Sequence, residues 1–299
     1  MRYIRYSLSG ETHLGAIDSK RDQKKIIPLE KVYPQLKGKT LIDFIAAVNG
    51  DPLAASSAVK AYTGDTVDAG AVKILAPIER PIHDVLCVGV NYAAHRAEAK
   101  RHLSEAVADT VKGTVYFAKR AYRILGDGEI VHARYDIDPD VDYESELAVI
   151  IGVGGKGITE EDAEKHVFGY SVFNDLSSRR LQKAHSQWLL GKGMDDYTAM
   201  GPCIVDRTEL PFPLELDIKS YVNGELRQNS NTSLLIKTVP GIIAELSRGV
   251  TLDAGDIIAT GTPSGVGMGF VPPKYLNPGD TVICEIQGIG KLTNTIEKA

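Results

Sequence analysis

Cysteine is scarce in this sequence. Cys87, Cys203 and Cys284 are the only three in 299 residues, odd in number, far apart and each set among apolar neighbours. That spacing excludes a disulfide framework and points to reduced, buried thiols in a cytoplasmic protein. Long apolar runs are missing too. None approaches the roughly 18 residues that a spanning helix needs, and Met1-Arg2-Tyr3 opens no signal peptide, so no membrane partner is expected. Positive charge is not in excess: 34 Lys and Arg stand against 39 Asp and Glu, a net charge of -5. Nothing in that balance calls for nucleic acid or an anionic membrane as partner. There is no internal repeat and no low-complexity tract. With 43% hydrophobic and 24% charged residues, the chain has an ordinary globular composition and enough length for a large core.

Composition shifts suggest two parts. Up to about Val72, short strands (Tyr3 to Leu8, Thr12 to Ile17) alternate with helical stretches near Leu41 to Ala46 and over Asp51 to Tyr62. Ala76-Pro77-Ile78 reads as a linker, with Pro77 and Pro81 resisting helix. From Val85 onward, β-branched runs recur between glycine and proline turns, as in Val282 to Ile286 after Asn277-Pro278-Gly279-Asp280. The expectation is a β-rich α+β protein: a small N-terminal α/β domain over 1–75, then a mixed β-roll or β-sandwich over 76–299.

What is present is acidic and regularly spaced. Asp142 to Ile151 reads as a strand, because an apolar run rich in Val and Ile ends at the glycines from Gly152 onward. Side chains alternate along a strand, so Glu144 and Glu146 share a face about 7 Å apart. They repel unless something positive lies between them, and a hard divalent cation fits that role; an acidic solvent-facing strand explains the pair equally well. Asp175 shifts the balance. It follows a second strand-like run, Val167 to Phe173, and puts a third carboxylate where strand gives way to loop or helix. Three oxygens without Cys or His argue for Mg2+, Mn2+ or Ca2+ rather than zinc, and open positions argue for catalysis.

Gly152-Val153-Gly154-Gly155-Lys156-Gly157 matches the GxGxxG dinucleotide pattern after a strand. The following Thr159-Glu160-Glu161-Asp162 would repel a pyrophosphate and suits a capped helix instead. Among the seven histidines, His95 has Glu98 three residues on, so a helix would put both on one face. Taken alone, such a pair is an ordinary solvated helix face.

These motifs together resemble a known family. Asp142-Tyr143-Glu144-x-Glu146-Leu147-Ala148, followed by Asn174-Asp175-x-Ser177-x-Arg179-x-x-Gln182, is similar to the fumarylacetoacetate hydrolase superfamily, in its acylpyruvate hydrolase and 2-oxo-heptene-dioate isomerase branch. Further matches come in the family's order: Val88 to His95, Gly191-Lys192 with Gly201-Pro202, and Thr260 to Gly267. The similarity runs from about Ile82 to the end. It implies a β-roll catalytic domain, commonly dimeric, and a metal site of Glu144, Glu146 and Asp175 loaded with Mg2+ or Mn2+. It turns His95 and Glu98 into a lid-borne pair that activates water. It makes Arg179 a fork for a substrate carboxylate, with Gln182, Tyr197, Gly261 and Thr262 as further substrate contacts and Lys192 as an oxyanion partner. The sequence departs from the family pattern at Arg180, Gly193, Met194 and Ala199, which bears on substrate identity more than on the metal.

The activity that follows is hydrolysis of a carbon–carbon bond in a 2,4-dioxo acid such as an acylpyruvate. The carboxylate and 2-oxo oxygens would meet the metal, His95 would activate water, and a pyruvate enolate would leave with its charge offset. Ordering of a His95 to Ala106 lid would exclude bulk water. Decarboxylation of oxaloacetate, isomerisation or hydration of a 2-oxo-enoic acid, and lysis of ureidoglycolate remain alternatives on the same cradle. A non-catalytic metal-dependent binder of oxo acids is the reading outside enzymology.

Overall fold

The computed structural model describes residues 1–100 and 113–299. Most of the chain's strands belong to one mixed sheet. Its path runs Val67–Asp68, Lys25–Pro28, Glu11–Ile17, Arg2–Leu8, Thr198–Asp206, Val167–Asp175, Ser145–Ile151, Ile257–Ala259, Val85–Gly89 and Val115–Lys119, with Lys73–Leu75 paired to Arg2–Leu8. A five-stranded sheet, Glu225–Asn231, Asp217–Val222, Thr281–Ile286, Gly290–Lys298 and Ile130–Ala133, packs against it. Nearly all pairings are antiparallel. Ile257–Ala259 on Val85–Gly89 and Gly290–Lys298 on Ile130–Ala133 are the parallel ones among the described residues. The β-rich roll or sandwich expected from the sequence is therefore what forms.

The period of two explains how one strand serves two cores. Ser145–Ile151 is buried along its whole length. Leu147, Val149 and Ile151 join Ile218, Val282, Cys284 and Leu292 in the core between the two sheets. Ala148 and Ile150 point the other way, into a second core with Phe173, Met200, Tyr3, Phe44 and Phe168. A strand buried on both faces has to read as a continuous apolar run, and Leu147 to Ile151 does.

The N-terminal elements fall where their patterns put them: strands Arg2–Leu8 and Glu11–Ile17, helices Leu41–Ala47 and Pro52–Ala61. Thr40 and Asp43 form a capping box, and Asp51 caps the second helix with Pro52 at its first position. Their strands extend the large sheet, because Arg2 and Tyr3 pair with Val205 and Ile204. Ala76 and Ile78, expected as a linker, are buried in the second core. The acidic segment after the GxGxxG match differs from expectation. Its helix is a single turn, Ala163–His166, beginning after Thr159 rather than at it, and without a side-chain cap. The three cysteines are buried free thiols.

Candidate active site

Glu144 sits in the two-residue break between the Val141–Asp142 and Ser145–Ile151 strands, where one continuous strand from Asp142 to Ile151 was expected. The carboxylates of Glu144 and Glu146 nevertheless meet in one cluster. Asp175 ends the neighbouring strand Val167–Asp175, and its N–H donates to the Glu144 carbonyl at 2.9 Å. One carboxylate oxygen from each of Glu144, Glu146 and Asp175 lies within 4.8 Å of the others, and all three side chains are buried.

Cations hold this cluster together unevenly. Lys192 Nζ lies 2.7 Å from Glu144 Oε2 and 2.8 Å from Asp175 Oδ2. Lys119 Nζ lies 2.7 Å from Asp175 Oδ1 and donates to the carbonyls of Leu176 and Lys192. Arg179 places Nη2 2.7 Å from Glu144 Oε1 and Nε 2.8 Å from Asp142 Oδ2, while its Nη1 donates to Gln182 Oε1. Burial alone raises the Glu144 pKa, but Lys192 and Arg179 more than offset it and hold the carboxyl well below its usual range. Glu146 goes the other way. Burial, then the charges of Asp175 and Glu144, push its carboxyl well up. Among the described residues no side-chain cation pairs with it, and it accepts the Gly261 N–H at 2.8 Å.

Glu146 makes the test for a metal. A buried carboxylate without a paired charge is expensive, and a hard divalent cation shared with Glu144 and Asp175 would remove that penalty. An oxygen-only set of this kind suits Mg2+ or Mn2+. The residues fit the group.

His95 and Glu98 lie on the helix Ala93–Lys100, both almost completely buried, with His95 Nδ1 3.0 Å from Glu98 Oε2. The Gly265 N–H donates to Glu98 Oε1 at 3.1 Å. Gly269 packs so tightly here that a Cβ on it would lie 1.7 Å from Glu98 Oε1. Asn91 fixes the start of the helix: its Nδ2 donates to the carbonyls of Thr260 and Lys237, and its Oδ1 accepts the Lys237 N–H. Val90, just before it, has φ 49°, a left-handed backbone that is strained for a β-branched residue. The far half of the expected lid, up to Ala106, lies outside the described residues.

A cavity of about 160 Å³ joins these groups. His95, Glu144, Glu146, Arg179, Gln182, Lys192 and Thr262 all line it, and Phe117 and Trp188, 5.1 Å apart and edge to face, form an apolar wall. Asp175 lies beneath it. Gly261 contributes through Glu146; its φ of +97° and a Cβ that would press on Val88 and Asn91 both call for glycine there. Tyr197 lies behind the site: it is buried, its hydroxyl accepts the Arg134 N–H, and it lies outside the lining.

Two residues that hold the site had no role assigned to them from the sequence. Lys119 closes an ordinary-looking strand, Val115–Lys119, where a lysine reads as solvent-facing. Asp142 stood inside the acidic motif without a role; it anchors Arg179 and accepts the Gly267 and Met268 N–H groups at 2.6 and 3.0 Å. Its pairing with the glycine loop was hidden by a separation of more than a hundred residues.

Comparison with known proteins agrees with this geometry. Residues 84–297 match the fumarylacetoacetate (FAA) hydrolase C-terminal family. An oxaloacetate tautomerase of Bacillus subtilis is 44% identical over 225 residues, 75% of this chain and 73% of its own. A mitochondrial oxaloacetate tautomerase of Xenopus laevis is 39% identical over 227 residues, 75% of this chain and 68% of its own. The solved fumarylacetoacetate hydrolase of Exiguobacterium antarcticum superposes with a TM-score of 0.81 at 35% identity, covering 100% of both chains. A maleylpyruvate hydrolase from Sphingobium sp. SYK-6, in complex with manganese and pyruvate, superposes at 0.75 with 26% identity, again over 100% of both. With the motifs, the fold and more than two thirds of the length in agreement, the chain belongs to the fumarylacetoacetate hydrolase family.

Proposed function

We propose that the protein is a divalent-cation-dependent enzyme that moves protons on 2-oxo acids, interconverting the enol and keto forms of an oxaloacetate-like substrate. The observation that carries this reading is the buried His95–Glu98 pair beside the Glu144, Glu146 and Asp175 carboxylates. With Glu98 accepting from Nδ1–H, the Nε2 of His95 is left as the unprotonated nitrogen. Glu98 then also stabilises the imidazolium once His95 has taken a proton. In the enol-to-keto direction a proton leaves the hydroxyl and arrives at the adjacent carbon, and one imidazole near both positions can carry it. A cation held by Glu144, Glu146 and Asp175 would supply Lewis-acid stabilisation of negative charge developing on the substrate oxygens. Lys192 and Arg179 keep Glu144 ionised and in place, and Phe117 and Trp188 keep bulk water away. The identities of 44% and 39% to two oxaloacetate tautomerases support this reaction over the others that the fold hosts.

Hydrolysis of a 2,4-dioxo acid is the second reading, favoured by the maleylpyruvate hydrolase neighbour with its manganese and pyruvate. There His95 would deprotonate a water in place of the substrate. Mg2+ or Mn2+ as the cation, a cytoplasmic homodimer, and residues 1–75 as a unit that supplies no metal ligand belong to both readings.

The test follows enol-oxaloacetate and an acylpyruvate with Mg2+- or Mn2+-loaded protein. Loss of enol absorbance without release of carbon dioxide supports the tautomerase. Pyruvate appearing from the acylpyruvate moves hydrolysis ahead. Rates equal to those of buffer with the same metal, on every substrate, would sink both.

A further inference from the structure

Glu144 and Glu146 are separated by Ser145, whose backbone is held by side chains where a strand would be expected. The strand Ile257–Ala259 pairs with Ala148 to Ile150 and then leaves as the glycine loop. Ser145 lies beyond it, so its N–H and C=O on that edge have no strand to pair with. Two side chains take the place of that strand. Gln228 Oε1 accepts the Ser145 N–H at 3.0 Å, and the Thr262 hydroxyl donates to the Ser145 carbonyl at 2.9 Å. Gln228 Nε2 closes the ring with hydrogen bonds of 2.7 Å to Thr262 Oγ1 and 2.8 Å to the Pro263 carbonyl. The amide cannot face the other way, because the Ser145 N–H only donates and the Pro263 carbonyl only accepts.

The local sequence delivers Gln228 to this spot. It belongs to a hairpin that turns at Asn223-Gly224, with φ of 51° and 82°. Within the hairpin Ser220 opposes Gln228 and Tyr221 opposes Leu226, which leaves Arg227 as a bulged residue. A bulge re-aims the side chain beside it, and Gln228 is the one buried residue of the strand Glu225–Asn231. The glycine loop comes up against the same bulge: a Cβ on Gly265, whose φ is +102°, would lie 2.1 Å from the Arg227 carbonyl oxygen. Gln228 thus ties together the hairpin, the strand that carries Glu146 and the loop whose Gly261 N–H donates to that carboxylate. Thr262 lines the cavity, but its hydroxyl hydrogen is spent on Ser145, so it has no proton to offer a substrate oxygen.

We infer that Gln228 is a positioning residue of the cation site: it sets the backbone between Glu144 and Glu146 and holds the Gly261 N–H in place on Glu146. The inference rests on the cation site proposed above and adds to it a residue outside the cavity lining. Its effect is on preorganisation. Among the described residues no side-chain cation orients Glu146, so its carboxylate depends on the loop that Gln228 pins. Groups that fix metal ligands in this indirect way typically contribute about 10- to 100-fold to metal affinity. Gln228→Met keeps the length of the side chain and removes its hydrogen bonds to Ser145, Thr262 and Pro263.

Calorimetric titration of metal-free protein with Mn2+ tests this without turnover. Gln228→Met and Thr262→Val should each weaken Mn2+ binding by at least about tenfold, and Thr262→Ser, which keeps the hydroxyl, should recover most of the loss. Because the two residues belong to one ring, the double variant Gln228→Met/Thr262→Val should lose no more than the worse single one. Phe44→Leu, which opens space in the second core, controls for lost stability: it should lower the melting temperature and leave Mn2+ affinity as in wild type. If Gln228→Met does not fold, Thr262→Val against Thr262→Ser reads the same ring. Variants that melt lower yet bind Mn2+ as tightly as wild type overturn the inference and give Gln228 a role in stability alone. Losses that add up in the double variant overturn it too. Wild-type protein that binds no Mn2+ overturns the inference together with the reading beneath it.

Discussion

The Lys119 ammonium lies 2.7 Å from Asp175 Oδ1 with both side chains fully excluded from solvent, and the same nitrogen donates to the Lys192 carbonyl. One buried cation therefore ties a candidate metal ligand to the segment that carries Lys192. Burial lowers the Lys119 pKa, and Asp175 opposes that shift. A charge kept in so dry a place depends on its partner.

Lys119→Met should for that reason destabilise the fold by about 3 kcal/mol, since it leaves Asp175 with Lys192 as its one remaining cation among the described residues. Calorimetric melting should fall by roughly 6 °C or more. Adding Asp175→Asn should restore part of the loss, because the double variant buries no unpaired charge. Strictly additive effects of the two substitutions would show that the pair is not coupled.

Glu146→Gln should separate metal binding from stability. Metal-free protein should melt no lower than wild type, because an unpaired buried carboxylate is replaced by an amide whose oxygen still accepts the Gly261 N–H. Saturating Mn2+ at about 100 times its dissociation constant stabilises a single site by about 2.7 kcal/mol, and the variant should lose that gain. Melts with and without Mn2+ read both quantities. An undiminished Mn2+ shift in the variant would remove Glu146 from the ligand set.

His95→Ala should lower turnover by about 10²- to 10⁴-fold while Mn2+ binding persists. Gly269→Ala offers a quieter version of the same experiment. Its new methyl group would displace Glu98 Oε1 from a distance of 1.7 Å, freeing His95 from its carboxylate without altering either residue. Activity should fall toward that of His95→Ala, since the imidazole loses the carboxylate that orients it. Wild-type activity in Gly269→Ala would count against the pairing of His95 with Glu98.

Away from the site, the hydrogen bond from His83 to Asp256, 2.8 Å long, and then that carboxylate's charge raise the His83 pKa. A proton held more tightly in the folded state adds stability that is fully present below about pH 6.5. That stability disappears as the pH rises through the folded value. With His83 half-exposed, the difference between wild type and His83→Gln should be a few tenths of a kcal/mol at pH 5.5 and absent at pH 9. Denaturant midpoints at the two pH values measure it; an equal difference at both would rule out the protonation effect.

The site was legible where its chemistry is local. Glu144 and Glu146 share a face through the two-residue period, Asp175 ends a strand, and His95 and Glu98 are one helical turn apart. Each of these relationships spans a few positions. Lys119 was not legible, because its partner Asp175 lies 56 residues on and nothing in Val115–Lys119 marks the lysine as buried. Arg179 was found but its engagement was not, since Asp142 and Glu144 claim it only once two strands and a helix have met. The fold divides the same way. Strands Arg2–Leu8 and Glu11–Ile17 announce themselves by alternation and form a hairpin, while the pairing of Arg2 with Val205 depends on contacts that no local pattern encodes.

That last pairing has a consequence during synthesis. The strand beginning at Arg2 leaves the ribosome about 200 residues before the one at Thr198–Asp206 that completes its far edge. At typical elongation rates the wait is on the order of 10–40 seconds. Lys73–Leu75 covers Arg5 to Ser7 early, but throughout the wait the Arg2 and Tyr3 end keeps open backbone donors and acceptors that can recruit another chain. The large sheet, and with it the neighbouring strand that delivers Asp175, can close only late. Yield in a cell should therefore depend on holdase chaperones more than the finished fold's stability suggests.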